Sequence, residues 1–504
     1  MDYIQIKNLR SLYDTDEIEI KKINMLVGNN SSGKSTFLRI FPLFKQSFNK
    51  RINGPILWAG DEDDYVDFGS YKEALSNRSN EDTIRFKFKF YCKFKDNGMF
   101  PTHTISRIIT IRDEGTVTVE FAISHDDEST YDYISELMLQ YHNYTVVIEF
   151  SAKNEITSMT VNEKIIDVIK EDIDYFGFGF ENGIFDLALF PVKITARMRF
   201  LEILEILDEG DYIIQYFYAT RICGMHKDSI ASKEADRAER ILKSVQEQQD
   251  ELKKWAFLYY LPKYYLTISQ YIRSYFMNVY YIAPVRATAE RYYRLRNAAV
   301  NEVDCRGKNL PVFLNSLKNN QFQSFRKWTH KNLGFEVEKS LSEGHVSLKI
   351  KKDGQDKAIN LSDTGFGYSQ ILPIATQLWY ITEVGSRRSN GNMDRIMGAN
   401  TPITIAIEQP ELHLHPALQA KLMDIIARTA MEKDVRFIIE THSETIINRI
   451  GSLIDKGIVN NHDIEITIFD KKFGDDRTQV LKSTFDNEGY LKDWPIGFFE
   501  PEED

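Results

Sequence analysis

Apolar and polar positions change their rhythm several times along the chain. Over residues 2–27, short apolar runs alternate with polar breaks: Tyr3, Ile4 and Ile6, then Ile18 and Ile20, then Ile23, Met25, Leu26 and Val27. This pattern predicts short strands joined by turns. The last run is apolar throughout and ends at Gly28, as a buried strand entering a loop does. From Thr36 to Phe48 the apolar positions take helical spacing. Strand-like runs follow at 83–93, 104–112, 116–123, 144–150 and 156–161. Asp96-Asn97-Gly98 and Asp113-Glu114-Gly115 separate some of them, which predicts an antiparallel sheet.

The middle, 166–278, is rich in Glu, Lys, Leu and Tyr and reads as helical. Its stretch 232–255 has the charge lacing of an exposed helix. Heptads are not sustained, so no long coiled coil is predicted. Strand signals return at 278–283 and 336–350, with a turn at Asp353-Gly354. A helix at 371–380, a strand at 403–407, a helix at 417–432 and a strand at 435–440 follow. A short strand pair at 464–469 and 478–481 closes the series. Alternating strands and helices predict parallel pairing in this half. The Gly-, Asn-, Arg- and Ser-rich segment 385–400 reads as a surface loop. Three regions result: 1–165, a helical insertion at 166–278, and 279–504.

Composition narrows the class. The chain has 504 residues, of which 42% are hydrophobic and 27% charged, enough for a large core. A net charge of −11 excludes a uniformly basic nucleic-acid coat and leaves a local basic groove open. The N-terminus has no apolar stretch of signal-peptide length. The most apolar tract, about 258–283, is cut by Lys263, Gln270 and Arg273, too polar for a membrane span. Cys92, Cys223 and Cys305 lie far apart, in odd number and without metal-ligand spacing. Reduced thiols and a cytoplasmic location are expected.

Four motifs carry chemistry. Gly28-Asn29-Asn30-Ser31-Ser32-Gly33-Lys34-Ser35 matches the phosphate-binding loop G-x-x-x-x-G-K-[ST]. Its glycines let backbone N–H groups face phosphate oxygens. Lys34 serves the β- and γ-phosphates, and Ser35 binds Mg²⁺. Ile403-Thr404-Ile405-Ala406-Ile407-Glu408-Gln409-Pro410-Glu411 is an apolar strand ending in an acid, suited to holding the Mg²⁺ water shell. Phe437-Ile438-Ile439-Glu440-Thr441-His442-Ser443 puts a histidine just past a buried strand, in reach of a γ-phosphate and an attacking water. Leu361-Ser362-Asp363-Thr364-Gly365-Phe366-Gly367-Tyr368-Ser369-Gln370 puts glycines and a serine at a helix start, which suits an anion.

In this order the motifs resemble the heads of ABC-type ATPases, the class that includes transporter and SMC-like ATPases. More closely they resemble the bacterial ABC-like ATPases related to the OLD (overcoming lysogenization defect) family. That group carries N-x-x-G-K-S-T, G-x-G-x-S-Q, E-Q-P-E-x-H-L-H-P and E-T-H-S-E, matched here at 30–36, 365–370, 408–416 and 440–444. The 281–286 segment, Tyr-Ile-Ala-Pro-Val-Arg, and the 494–499 tail look like the same subgroup. The resemblance covers about 1–75 and 279–504. It implies an α/β fold: an ABC-type P-loop ATPase head, with a mixed sheet, an antiparallel β lobe and a helical insertion.

It also implies ATP and Mg²⁺ as cofactors, with Asn30, Ser31, Gly33, Lys34, Ser35 and Thr36 around the nucleotide. Ser35 and Glu408 would hold the metal. Gly367 and Ser369 would reach the γ-phosphate of a partner's nucleotide in a head-to-head homodimer or higher oligomer. Glu408, Gln409, Glu411 and His442 form the candidate catalytic set. Most ABC heads end this strand with Asp–Glu; here the pair is Glu408–Gln409, and glutamine cannot act as a base. Either Glu411 serves the water, or hydrolysis is slow and ATP acts as a clamp. Gln46 follows the P-loop too soon to be the usual loop glutamine. His413 and His415, at i and i+2, suit loop or dimer-contact roles better than a metal site, because no cysteine or acid cluster stands with them.

Families with this head sit beside a nuclease or toxin, as in Septu, PARIS and certain retron systems. The resemblance therefore implies a sensor or scaffold of an anti-phage complex that controls a separate effector and meets nucleic acid through the complex. OLD-type relatives carry a fused nuclease. With 62 residues after His442, and no convincing two-metal site among Asp470, Asp475 and Asp476, no intrinsic nuclease is expected. The alternative is an SMC-like recombination or repair ATPase that binds DNA directly. A transporter subunit ranks third, because the insertion matches nothing in that group.

Overall fold

The computed structural model describes residues 1–77, 81–94, 114–168, 232–284, 286–294, 302–342, 344–384, 401–471 and 477–494. The expected strand at 104–112, the loop at 385–400, most of the 166–231 stretch, Cys223, Asp475, Asp476 and the tail from 495 lie outside the described residues. The chain forms two compact units. One gathers Met1–Ile52, Ile56–Phe86 and Arg273–Asp504; the other gathers Asn53–Pro55 and Lys87–Ile272.

The first unit is built on a seven-stranded sheet. In chain order its strands are β1 (Ile23–Gly28), β2 (Val279–Ile282), β3 (Ile403–Glu408), β4 (Val435–Glu440), β5 (Ile464–Asp470), β6 (Gln479–Phe485) and β7 (Leu491–Lys492). In space they run β2-β3-β4-β1-β5-β6-β7. The first five pair in parallel, and β6 and β7 pair antiparallel at one edge. Every residue of β1 is buried, as the uninterrupted apolar run requires of a strand covered on both faces.

Four helices matter for the site: α1 (Lys34–Asn49), α2 (Phe366–Trp379), α3 (Pro416–Glu432) and α4 (Glu444–Asp455). Met25, Val27, Ile405, Ile407, Phe437 and Ile439 on one sheet face share a core with Ile371, Ile374, Leu422, Ile426 and Ile447 of α2, α3 and α4. On the other face Phe37 of α1 meets Phe469 of β5, ring centroids 5.8 Å apart. The linear order β1-α1 … β3-α3-β4-α4-β5 thus returns the carboxyl ends of the five parallel strands to one edge of the sheet. Ligands of open α/β sheets bind at that edge. A smaller antiparallel sheet, built on the hairpin Phe335–Ser342 and His345–Lys352, belongs to the same unit.

The second unit holds an antiparallel meander: most of Ile84–Lys93, then Glu114–Asp126, Tyr131–Tyr141, Tyr144–Phe150, Ile156–Val161 and Lys164–Ile165. The Ile84–Lys93 strand alternates strictly, with Phe86, Phe88, Phe90 and Cys92 inward. Helix Ser232–Met277 supplies the covering layer. Phe90 stacks on Tyr271 at 4.3 Å, Tyr144 on Phe257 at 4.7 Å, and Phe94 meets Tyr264 edge-on at 4.8 Å. The sequence reading put these strands with the N-terminal half of the head. Their inward aromatic rows pack against the described part of the helical insertion, because neither layer buries its apolar face alone. Trp255, Phe257, Tyr264, Tyr265, Tyr275 and Phe276 of that helix are buried. No helix among the described residues is long and apolar enough to cross a membrane. Cys92 and Cys305 are free thiols.

Candidate functional site

The phosphate-binding loop sits between β1 and α1. Gly28 has φ +143°, and a Cβ there would lie 2.1 Å from the Phe469 carbonyl oxygen, so no other residue fits. Gly33, φ +100°, abuts Leu12 in the same way. Between them Asn30 and Ser31 are exposed, and Ser32 is fully buried with a hydroxyl that has no partner. Thr478 donates to the Ser32 carbonyl at 2.8 Å and fixes the loop from below. Lys34 is buried, and its ammonium donates to the carbonyls of Gly28 (3.0 Å) and Asn29 (2.6 Å). Burial lowers its pKa, against the opposing pull of Glu440. Ser35 and Thr36 are half-buried at the helix start.

These residues fit a nucleotide triphosphate. The α1 N-terminus has free N–H groups and the positive end of a helix dipole. An ammonium curled onto its own loop and an orphaned buried hydroxyl both gain partners when phosphate oxygens arrive.

Two buried acids end adjacent strands, because the β3–β4 register pairs Glu408 with Glu440. Their surroundings differ. Glu408 is clamped: Arg39 Nε donates to Oε1 at 2.7 Å, Arg39 NH2 to Oε2 at 2.8 Å, and the Tyr281 hydroxyl to Oε1 at 2.8 Å. The hydrogen bond to Glu408 raises the Arg39 pKa, and burial followed by the Glu408 charge raises that of Tyr281. Glu440 instead accepts the Ser35 hydroxyl on Oε1 at 2.9 Å, and its buried Oε2 has no partner. Burial, and then the neighbouring Glu408 charge, push its pKa up to about 7.

The loop after β3 carries the rest. Gln409 takes a left-handed φ of +43° and donates its N–H to the Glu440 carbonyl at 2.8 Å. That tie turns the chain so that Glu411 faces β4's end. Glu411 Oε1 accepts the His442 backbone N–H at 2.7 Å, while Oε2 is buried without a partner, and burial raises its pKa. The His442 side chain is exposed; desolvation and the nearby Lys34 charge hold its ring below the ordinary histidine value, hence neutral at pH 7. Arg286 is buried, donates to the Glu408 carbonyl at 3.2 Å, and leaves Nε and NH1 unpartnered. Burial pushes it down to about 10, with the Glu411 charge opposing. Its own carbonyl accepts Gln370 Nε2 from α2 at 3.4 Å.

The structure thus gathers the P-loop, Glu408, Gln409, Glu411 and His442 at one edge. Gly367 and Ser369 lie on α2 against the 409–415 loop: a Cβ on Gly367 would sit 3.1 Å from the His413 carbonyl oxygen, and Ser369 is buried with its hydroxyl on the Phe366 carbonyl at 2.8 Å. Phe366 is 60% exposed, beside the His413 ring at 5.8 Å. His415 caps α3, its Nδ1 accepting the Ala417 N–H at 3.3 Å. Among the described residues no group of three or more His, Cys, Asp or Glu could hold a metal. Gln46 is buried and clasps the Leu57 and Val66 carbonyls.

The sequence reading missed Arg39 and the closeness of Glu440 to Ser35. A signal for the second existed: β4, like β3, is an apolar strand ending in an acid. Which acid neighbours the P-loop depends on strand order, which spacing does not reveal. For Arg39 there was only a one-turn offset from Ser35 along α1.

Residues 1–447 match a family model described as an AAA ATPase domain. No curated protein matches the chain. Solved structures that align with it include an SmcHead bound to the C-winged helix domain of ScpA, at 11% identity, TM-score 0.34, and 96% and 97% coverage of the two chains. A second is an Smc head domain bound to the C-terminal domain of ScpA from Pyrococcus furiosus, at 12%, 0.34, and 96% of each. A third is an SMC head domain from Thermotoga maritima, at 10%, 0.33, and 95% and 98%.

Proposed function

The chain belongs to the AAA ATPase domain family, and we propose that it is an ABC-like ATPase that closes head-to-head on ATP and, by doing so, controls a separate effector. One observation carries the ATPase part: Lys34, Ser35, a buried carboxylate, Glu411 and His442 converge at the carboxyl ends of neighbouring parallel strands. Lys34 and the 29–33 backbone bind the phosphates; Ser35 contributes to Mg²⁺, which when bound neutralises phosphate charge. Glu411 is the candidate base. It has a free carboxylate oxygen and a raised pKa, whereas Gln409 is committed through its backbone to Glu440 and has no basic group. His442, neutral and exposed beside Lys34, is placed to accept or donate a hydrogen bond to the attacking water.

The defence role is supported by the E-Q-P-E-x-H-L-H-P and E-T-H-S-E motifs and by the acidic net charge, which disfavours DNA coating. In this reading the protein works in the cytoplasm, with a nuclease or toxin as its partner. Lys34→Ala is expected to abolish ATP binding by calorimetry; a variant that binds ATP as the wild type does removes the P-loop assignment. The effector reading is checked by ATPase assays on purified protein. Stimulation by duplex DNA alone at physiological salt would replace it with that of an SMC-like recombination or repair ATPase.

A further inference from the structure

We propose that Glu440, rather than Glu408, is the carboxylate that completes the Mg²⁺ site with Ser35. The inference rests on the ATP-binding role proposed above. It starts from the inequality of two acids that sequence alone makes look alike.

Mg²⁺ demands hard oxygen donors in near-octahedral geometry, and it usually takes one or two carboxylates with substrate phosphates and waters. Glu408 is poorly free to serve. Both its oxygens are held by the Arg39 fork, and Oε1 also accepts the Tyr281 hydroxyl. A bidentate guanidinium–carboxylate pair is among the stronger hydrogen-bonded contacts in proteins, and its loss would leave Arg39 beside an incoming dication. Glu440 has the opposite character. Its Oε1 already touches the hydroxyl assigned to the metal, at 2.9 Å, and its Oε2 is buried with no partner. An orphaned buried carboxylate oxygen is costly unless something occupies it in the working state.

Topology explains the exchange. β4 lies between β3 and the P-loop strand β1, so the acid ending β4 is one strand nearer the nucleotide than the acid ending β3. Charge agrees: Arg39 is ion-paired directly with Glu408, while Glu440 makes no ion pair among the described residues and feels Lys34 and Arg39 only through space, against the like charge of Glu408. Arg39 and Tyr281 are then positioning residues that keep Glu408 in the second layer.

The test measures binding of a fluorescent, non-hydrolysable ATP analogue with and without Mg²⁺, and Mn²⁺ binding to the nucleotide complex by EPR. Glu440→Gln keeps the shape and the Ser35 contact and removes the charge. It is expected to retain metal-free nucleotide affinity and to lose the Mg²⁺-dependent gain by on the order of tenfold or more, since even partners of metal ligands change metal affinity by that much. Glu408→Gln is expected to keep the gain and the Mn²⁺ signal. If it does not fold, the double variant Arg39→Gln/Glu408→Gln, which removes both charges, is read in its place. Full retention of the gain in Glu440→Gln overturns the inference, as does its loss in the Glu408 variant whatever Glu440→Gln does. A wild-type protein that binds no nucleotide overturns the ATPase reading instead.

Discussion

At the residue scale, burial and partnering decide what each acid can do. Glu411 is the clearest case. Its burial favours the neutral carboxylic acid, so its pKa lies above the ordinary value near 4.3. A base must be deprotonated, so turnover is expected to fall as pH drops through that raised pKa, at higher pH than an exposed carboxylate would give. Glu411→Gln should abolish turnover and leave ATP binding; unchanged turnover in a pH series of the variant would exclude Glu411 as the base. Stability has the opposite sign. The folded state binds the Glu411 proton more tightly than the unfolded chain. Its contribution is therefore present below the unfolded pKa and lost as pH rises through the folded one. The variant should lack that loss in melts at different pH. Gly28 is decided by space. With φ +143° and a carbonyl oxygen 2.1 Å from any added Cβ, Gly28→Ala should cost about 3 kcal/mol or more, read by urea unfolding. A loss under about 1 kcal/mol would mean the loop reshapes freely.

At the element scale, apolar packing outweighs surface charge. Helix α4 buries Ile446, Ile447, Ile450, Leu453 and Ile454, and it also carries Arg449, which forms a bidentate pair with Asp424 of α3 at 2.7 and 2.8 Å. Arg449 and Asp424 keep 30% and 23% of their side chains exposed, so solvent screens the pair. Arg449→Ala should cost about 1 kcal/mol or less, and Ile450→Ala about 2–5 kcal/mol, by chemical denaturation. The reverse order would mean that charge, not packing, seats α4. The same physics governs what was legible in the sequence. Strands β1, β3 and β4 and helix α3 were readable because both-face burial leaves uninterrupted apolar runs and helix faces leave periodic ones. Strand Tyr131–Tyr141 was not, since its Ser-Glu-Leu-Met-Leu-Gln stretch favours helix and is held extended by pairing on both sides. The single apolar region at 336–350 turned out to be a hairpin turning near Gly344, φ +80°. At the site, the P-loop was legible residue by residue because its chemistry is local. The Arg39–Glu408, Tyr281–Glu408 and Ser35–Glu440 contacts were not, because they join segments 369, 127 and 405 residues apart whose adjacency depends on strand order.

At the scale of the whole molecule, an acidic chain must bring two like-charged heads together if ATP is to couple them. Net charge is −11 per chain, and each nucleotide adds more negative charge, so closure depends on local features rather than on overall attraction. The start of α2 offers them. Gly365 and Gly367 carry no side chain, the α2 N-terminus has the positive end of a helix dipole, and Phe366 is 60% exposed between them. In the proposed dimer this face meets the partner's γ-phosphate. Phe366→Asp adds one negative charge there without touching a core contact. Like charges across an interface cost several kcal/mol, so the ATP-bound dimer should weaken by at least about 30-fold. The measurement is the mass distribution with ATP by sedimentation, in a Glu411→Gln background to slow hydrolysis, with Lys34→Ala as the nucleotide-free control. The shift should shrink as salt rises, because screening shortens the repulsion to about 8 Å at physiological ionic strength. An Asp variant that dimerises with unchanged affinity would place the contact between heads elsewhere than the α2 N-terminus. The effector would then have to sense a different closure.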